Sequence, residues 1–177
     1  MEDRRAELRV PVTEPARRPP GTRFAGVAEL LAAARDGLQR LEPAAAVIAV
    51  ADGARLVDVR PAWQRAVEGE IDGALIIERN HLEWRLDPTS PARLPAAVPG
   101  QRWIVVCSQG YTSSLAAAAL CSLGIEAGDL IGGVHGWRAA GLPVLDGPTR
   151  TEQVAGRQPS VDFGDLGGPD VEDIATH

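Results

Sequence analysis

The sequence predicts an α/β fold: a mostly parallel central sheet with helices on both faces. Three observations predict it. Short runs of consecutive apolar residues, at 56–59, 74–77 and 103–106, read as strands buried on both sides, because a half-exposed strand alternates apolar with polar. Amphipathic or Ala-rich segments alternate with these runs, and strand–helix alternation is the signature of a parallel sheet. The core must also be aliphatic: 45% of residues are hydrophobic and 28 are Ala, yet only 4% are aromatic. A length of 177 residues suits one domain of usual size.

Taken in order, residues 1–23 hold six Arg, four acidic residues and four Pro with no apolar period, which predicts a loosely ordered N-terminal extension. The domain spans 24–145 and opens with an amphipathic helix over 27–41, where Val27, Leu30, Leu31, Ala34, Leu38 and Leu41 recur at helical spacing. Pro43 suits the first turn of a second helix, 43–51, which Asp52-Gly53 stops. Leu56-Val57-Asp58-Val59 is a buried strand; Pro61 then opens a helix over 61–67 and Gly69 closes it. Ala74-Leu75-Ile76-Ile77 is the second strand. Asn80, three residues before Glu83, reads as a capping box opening a helix over 81–86.

Pro88, Pro91, Pro95 and Pro99 make the next stretch a surface connection. Trp103-Ile104-Val105-Val106 is the strongest strand in the chain, and an Ala-rich helix follows from Ser113 to Leu123, ended by Gly124. A short strand at 130–131 and a helix at 134–140 complete the domain. From residue 146 onward there are seven acidic residues against two Arg, with five Gly and three Pro, so 146–177 reads as an acidic flexible tail.

Composition excludes several classes of function. The net charge is −6 overall and −3 over 24–145, which disfavours broad nucleic-acid or anionic-membrane binding. All 18 basic residues are Arg. No apolar run approaches the roughly 20 residues of a membrane span. The start, Met1-Glu2-Asp3-Arg4-Arg5, has no apolar stretch behind it, so no secretory signal is read and a cytoplasmic location is expected. The two Cys and three His lack CxxC or HExxH spacing, so neither a structural zinc nor a disulfide framework is expected. A monomer or weak homodimer is expected.

One strand-to-helix loop carries chemistry: Cys107-Ser108-Gln109-Gly110-Tyr111-Thr112-Ser113-Ser114. In parallel sheets ligands bind beyond the carboxyl ends of the strands, where this loop lies. Gly110 permits backbone angles that other residues resist. Successive N–H groups can then face inward above a helix N-terminus, and such dipoles favour a thiolate over a thiol and hold an anion. Thr112, Ser113 and Ser114 can cap the helix and donate to sulfur. Spacing alone leaves Cys107 equally readable as a nucleophile or as a small hydrophobe ending a strand.

Four blocks, in order over about residues 42–144, resemble the rhodanese-like sulfurtransferase domain. They are Leu56-Val57-Asp58-Val59-Arg60, Gly69-Glu70-Ile71-Asp72-Gly73-Ala74, the Cys107–Ser113 loop, and Leu130-Ile131-Gly132-Gly133-Val134-His135-Gly136-Trp137 with Gly141-Leu142-Pro143-Val144. The resemblance implies sulfur transfer through a Cys107 persulfide cradled by the amides and hydroxyls of Ser108, Gln109, Gly110, Tyr111, Thr112 and Ser113. It implies a small sulfur donor such as thiosulfate, a thiol, cyanide or protein-thiol acceptor, and no metal or organic cofactor. Asp58 and Arg60 are expected to support the loop. Two departures stand out: Glu70 replaces the usual His, and the loop lacks the basic residue of many thiosulfate-using members. Arg79 and Arg85 are the candidates for a cation reaching in from elsewhere.

The loop also argues against phosphatase chemistry. Phosphatases with a related cradle place an Arg six residues after the Cys, and here that position is Ser113. Two other readings are carried: a catalytically weak binding or regulatory module, and a redox protein pairing Cys107 with Cys121. For Cys121, inside the Ala-rich helix, a buried structural role is the expectation.

Overall fold

The computed structural model describes residues 23–146. The N-terminal extension and the acidic tail therefore lie outside the described residues, save for Arg23 and Asp146. Five strands, β1 (Gln39–Leu41), β2 (Arg55–Asp58), β3 (Leu75–Ile76), β4 (Trp103–Val106) and β5 (Ala127–Leu130), form one sheet in the order β1-β5-β4-β2-β3. Every pairing is parallel. The helices are α1 (Val27–Arg35), α2 (Pro43–Ala51), α3 (Ala62–Glu68), α4 (Leu82–Leu86), α5 (Thr112–Ser122) and α6 (Gly133–Ala139), with a 3-10 turn at Arg79–His81 before α4.

Both faces of the sheet are dry, as the unbroken apolar runs require. Along β2 and β4, Val57 and Val105 face a cluster with Leu82 and Leu86 of α4 and Ala116, Ala117 and Leu120 of α5. Their neighbours Leu56, Ile104 and Val106 face the opposite cluster, with Ala46 of α2 and Val134 and Trp137 of α6. The parallel order brings the carboxyl ends of β2, β4 and β5 side by side, so the β2–α3, β4–α5 and β5–α6 connections share one edge.

Most elements lie within a residue or two of their expected bounds, and three differ for identifiable reasons. The helix expected over 27–41 ends at Arg35; Gly37, at φ 73°, turns the chain, and Gln39–Leu41 is the edge strand β1. Leu38 and Leu41 continue the helical spacing by coincidence, and a three-residue strand has no period of its own. The capping box does not form: Asn80 Nδ2 lies 3.2 Å from the His81 ring, and Glu83 pairs with Arg79 at 2.8 Å. β5 is longer than 130–131 because Asp129 interrupts its apolar run yet lies fully buried. Among the described residues, no helix is long and apolar enough to cross a membrane, and no group of three or more His, Cys, Asp or Glu is placed to hold a metal.

Candidate active site

Cys107 follows the last residue of β4, 7% exposed, at the mouth of the loop that turns into α5. Its sulfur receives two backbone donors, the N–H of Gly110 at 3.2 Å and that of Ser113 at 3.4 Å. The Ser113 hydroxyl lies 3.2 Å from the same sulfur and accepts from the thiol. A thiolate would reverse that last bond, so all three groups could donate to it. The N-terminus of α5, an eleven-residue helix, sits at the sulfur and adds its positive end.

The loop's carbonyls explain why its amides face inward. Val134 N–H of α6 donates to the Cys107 carbonyl at 2.9 Å, and His135 N–H to that of Ser108 at 3.0 Å. The Gly110 carbonyl accepts from Arg35 Nη2 at 2.7 Å and the Ser114 hydroxyl at 2.9 Å. In a trans peptide the N–H points opposite its carbonyl, and no peptide here is cis. Tethering these three carbonyls therefore turns the Ser108, Gln109 and Tyr111 N–H groups the other way. Among the described residues none of the three has an acceptor, nor does that of Thr112. The result is a concave set of backbone donors able to hold an anion beside Cys107.

Glycine makes the close approach of α6 feasible. Gly133, at φ 57°, lies so near the loop that a Cβ would run into the Cys107 carbonyl oxygen and come within 2.7 Å of Ser108 backbone atoms. Gly110, at φ 79°, is bounded by Gly132, where a Cβ would lie 2.9 Å from the amide nitrogen. The paired glycines of the closing block are thus part of the site's scaffold.

Behind the loop stand two ionic networks. Arg60, fully buried, holds Asp58 Oδ2 at 2.6 Å, Glu68 Oε2 at 2.8 Å and the Gly69 carbonyl at 2.8 Å. Glu68 in turn accepts from the Ser108 hydroxyl at 2.8 Å. Burial pushes the Glu68 carboxyl up, but the hydrogen bonds from Arg60 and Ser108 outweigh it and hold the group below its ordinary value. Asp58 and Arg60 thus reach the loop through Glu68, a residue the sequence did not single out. Glu70, the departure from the family block, is buried and paired with buried Arg65 at 2.9 Å.

The second network is centred on Asp129 of β5. Arg40 of β1 grips it with Nε on Oδ1 at 2.8 Å and Nη2 on Oδ2 at 3.1 Å. The Ser114 hydroxyl lies 2.7 Å from Oδ2 and that of Ser113 3.4 Å. Arg35 Nε also donates to the Ser114 hydroxyl at 3.0 Å, and its guanidinium lies over the Tyr111 ring, 5.5 Å from the centroid.

The residues expected in the site are therefore dispersed in role. Gly110 and Ser113 contact the sulfur; Ser108 is tied to Glu68; Gln109, Tyr111 and Thr112 are exposed at the rim. Thr112 and Ser113 make no side-chain cap on α5. Arg79 is engaged with Glu83, and buried Arg85 donates to the Ala92 carbonyl at 2.8 Å, holding the proline-rich connection; neither donates to the Cys107 sulfur. The cations that do reach the loop are Arg35 and Arg40. The sequence offered no signal for them, since both sit where a continuous helix was expected. Cys121 donates to the Ala127 carbonyl at 3.2 Å, and burial pushes its thiol up, which leaves it a poor nucleophile.

A family model described as Rhodanese-like domain matches residues 43–140. Among curated proteins, none matches the chain significantly. Among solved structures, a protein of unknown function from Rhodopseudomonas palustris, described as a possible tyrosine phosphatase, is 28% identical with a TM-score of 0.63, covering 71% of this chain and 98% of its own. A thiosulfate sulfurtransferase from Pseudomonas aeruginosa is 27% identical with a TM-score of 0.51 over 62% of this chain, which spans 20% of that longer protein.

Proposed function

The chain belongs to the rhodanese-like domain family, and we propose that it is a sulfurtransferase that carries a sulfane sulfur as a persulfide on Cys107. The observation that carries this reading is the pair of backbone N–H groups on the Cys107 sulfur, within a loop whose tethered carbonyls leave further amides facing the same way. A persulfide anion needs such a preorganised set of donors.

In the first half-reaction the Cys107 thiolate attacks the outer sulfur of a donor such as thiosulfate. The donor's S–S bond breaks and sulfite leaves with its electron pair. The Cys107–S–S⁻ formed is anionic, and the Ser108, Gln109, Tyr111 and Thr112 amides are the groups placed to receive its charge. In the second half-reaction a thiophile (cyanide, a small thiol or a protein thiol) attacks the terminal sulfur and Cys107 leaves as thiolate. This is covalent catalysis with ping-pong kinetics.

The phosphatase description of one structural relative does not carry over. The residue six positions after Cys107 is Ser113, whose N–H and hydroxyl are already at the sulfur, so the loop has no guanidinium to clamp phosphate bidentately. The deciding measurement is the intact mass after incubation with thiosulfate. A gain of one sulfur, absent in Cys107→Ser and removed by cyanide, is expected. An unchanged mass would leave a binding module as the better reading, and sulfur still gained by Cys107→Ser would overturn the role of Cys107.

A further inference from the structure

No charged side chain lies between Cys107 and Ser114, yet the site is not without a cation. Arg35, the last residue of α1, reaches the loop from outside the family-matched segment. It makes three contacts there: Nη2 on the Gly110 carbonyl at 2.7 Å, Nε on the Ser114 hydroxyl at 3.0 Å, and its planar face over Tyr111. α1 itself buries none of its residues. This guanidinium ties it to the loop.

The two arginines at the loop differ in net effect. Arg40 is neutralised by Asp129, its bidentate partner. Arg35 has no carboxylate partner among the described residues, so of the two guanidiniums it is the one without a direct counter-charge there. Tyr111 beneath it is 57% exposed, which sets the cation beside the rim where an anion would enter. Together with the Ser114 hydroxyl and Arg40 Nη2 at 3.4 Å, Arg35 anchors the Gly110 carbonyl, which turns the Tyr111 N–H toward the opposite side of that peptide.

We propose that Arg35 is the positioning and anion-guiding cation of this site, and that it selects dianionic sulfur donors of the thiosulfate class over less charged ones. The donor preference rests on the sulfurtransferase reading above; the local field at Cys107 does not. The charge acts at short range through a partly dry loop, where one unit charge matters more than in bulk water.

The test compares alkylation of Cys107 by iodoacetate, an anion, and by iodoacetamide, its neutral counterpart, in the full chain with the site read by peptide mass. Arg35→Gln is expected to lower the iodoacetate-to-iodoacetamide rate ratio by about threefold or more. Arg35→Lys, which keeps the charge and loses the fork, stays within about twofold of the wild type. Arg55→Gln, which removes an exposed charge at the amino-terminal end of the strands, away from the loop, leaves the ratio unchanged. With thiosulfate, Arg35→Gln raises KM more than it lowers kcat. An unaltered ratio in Arg35→Gln, or an equal fall in Arg55→Gln, overturns the proposal. Should Arg35→Gln not fold, the wild-type ratio decides: it falls with added salt if a local charge draws the anion, and a flat response overturns the idea. A ratio that falls as expected in a chain that never gains sulfur would end the sulfurtransferase reading alone.

Discussion

Glu68 is the residue through which the β2–α3 connection reaches the sulfur loop, because one carboxylate accepts from both Arg60 and Ser108. Its folded-state pKa is held below the ordinary carboxylate value, so it adds stability in full above that value and loses it as pH falls through the depressed one. Glu68→Gln should therefore be less stable than the wild type at neutral pH. The gap should close as pH falls from the ordinary carboxylate value through the depressed one, where the wild-type carboxylate is itself protonated. Melting curves across that range check this, and two parallel pH profiles would contradict it. Glu68 was hidden in the sequence, since an acid at the end of a predicted helix is ordinarily solvated. Cys107, by contrast, stood out only through the resemblance of its loop to the family block, since spacing alone left it equally readable as a small hydrophobe ending a strand.

At the scale of elements, the site is the contact between two helix N-termini, with α6 presenting its first amides to the carbonyls of the α5 loop. That contact requires Gly133, whose absent side chain is what admits the Cys107 carbonyl. Gly133→Ala is expected to destabilise by about 2 kcal/mol or more, combining left-handed strain with a backbone clash, and to slow sulfur loading about tenfold or more by displacing the loop. Gly141→Ala provides the contrast: φ is 75° but nothing lies within 4 Å of the added Cβ, so only the strain of about 1–2 kcal/mol remains and loading is retained. Urea midpoints and rates of mass gain separate the two, and equal effects on loading would refute the contact's role. The long-range logic of such elements was readable where period and length agreed, as in β4 and α5. It was unreadable at 36–41, where Asp36-Gly37 stops the helix while Leu38 and Leu41 imitate its continuation. The pairing of β1, and with it the Arg40 that meets Asp129, was lost there.

For the molecule as a whole, the α1–β1 lead is part of the working fold although the family match begins at residue 43. β1 closes one edge of the sheet against β5, and Arg40 delivers the counter-charge for an Asp129 that is fully buried between β5 and the sulfur loop. Without that guanidinium a carboxylate would remain desolvated beside Ser113 and Ser114, and its charge would oppose a thiolate or persulfide at Cys107. Removing one member of a buried pair costs about 3–5 kcal/mol, and because the Arg40 side chain is 24% exposed the lower end of that range applies. Arg40→Leu should thus lose about 3 kcal/mol and most of its sulfur loading. Asp129→Leu in the same chain should restore more than half of the stability, because the stranded charge is gone, while loading recovers less, because the carboxylate that faces the Ser113 and Ser114 hydroxyls is gone. Denaturant unfolding of the two single variants and the double variant completes the cycle. Additive losses would mean that Arg40 serves the edge strand alone, and that the lead is joined to the site by nothing more than the chain.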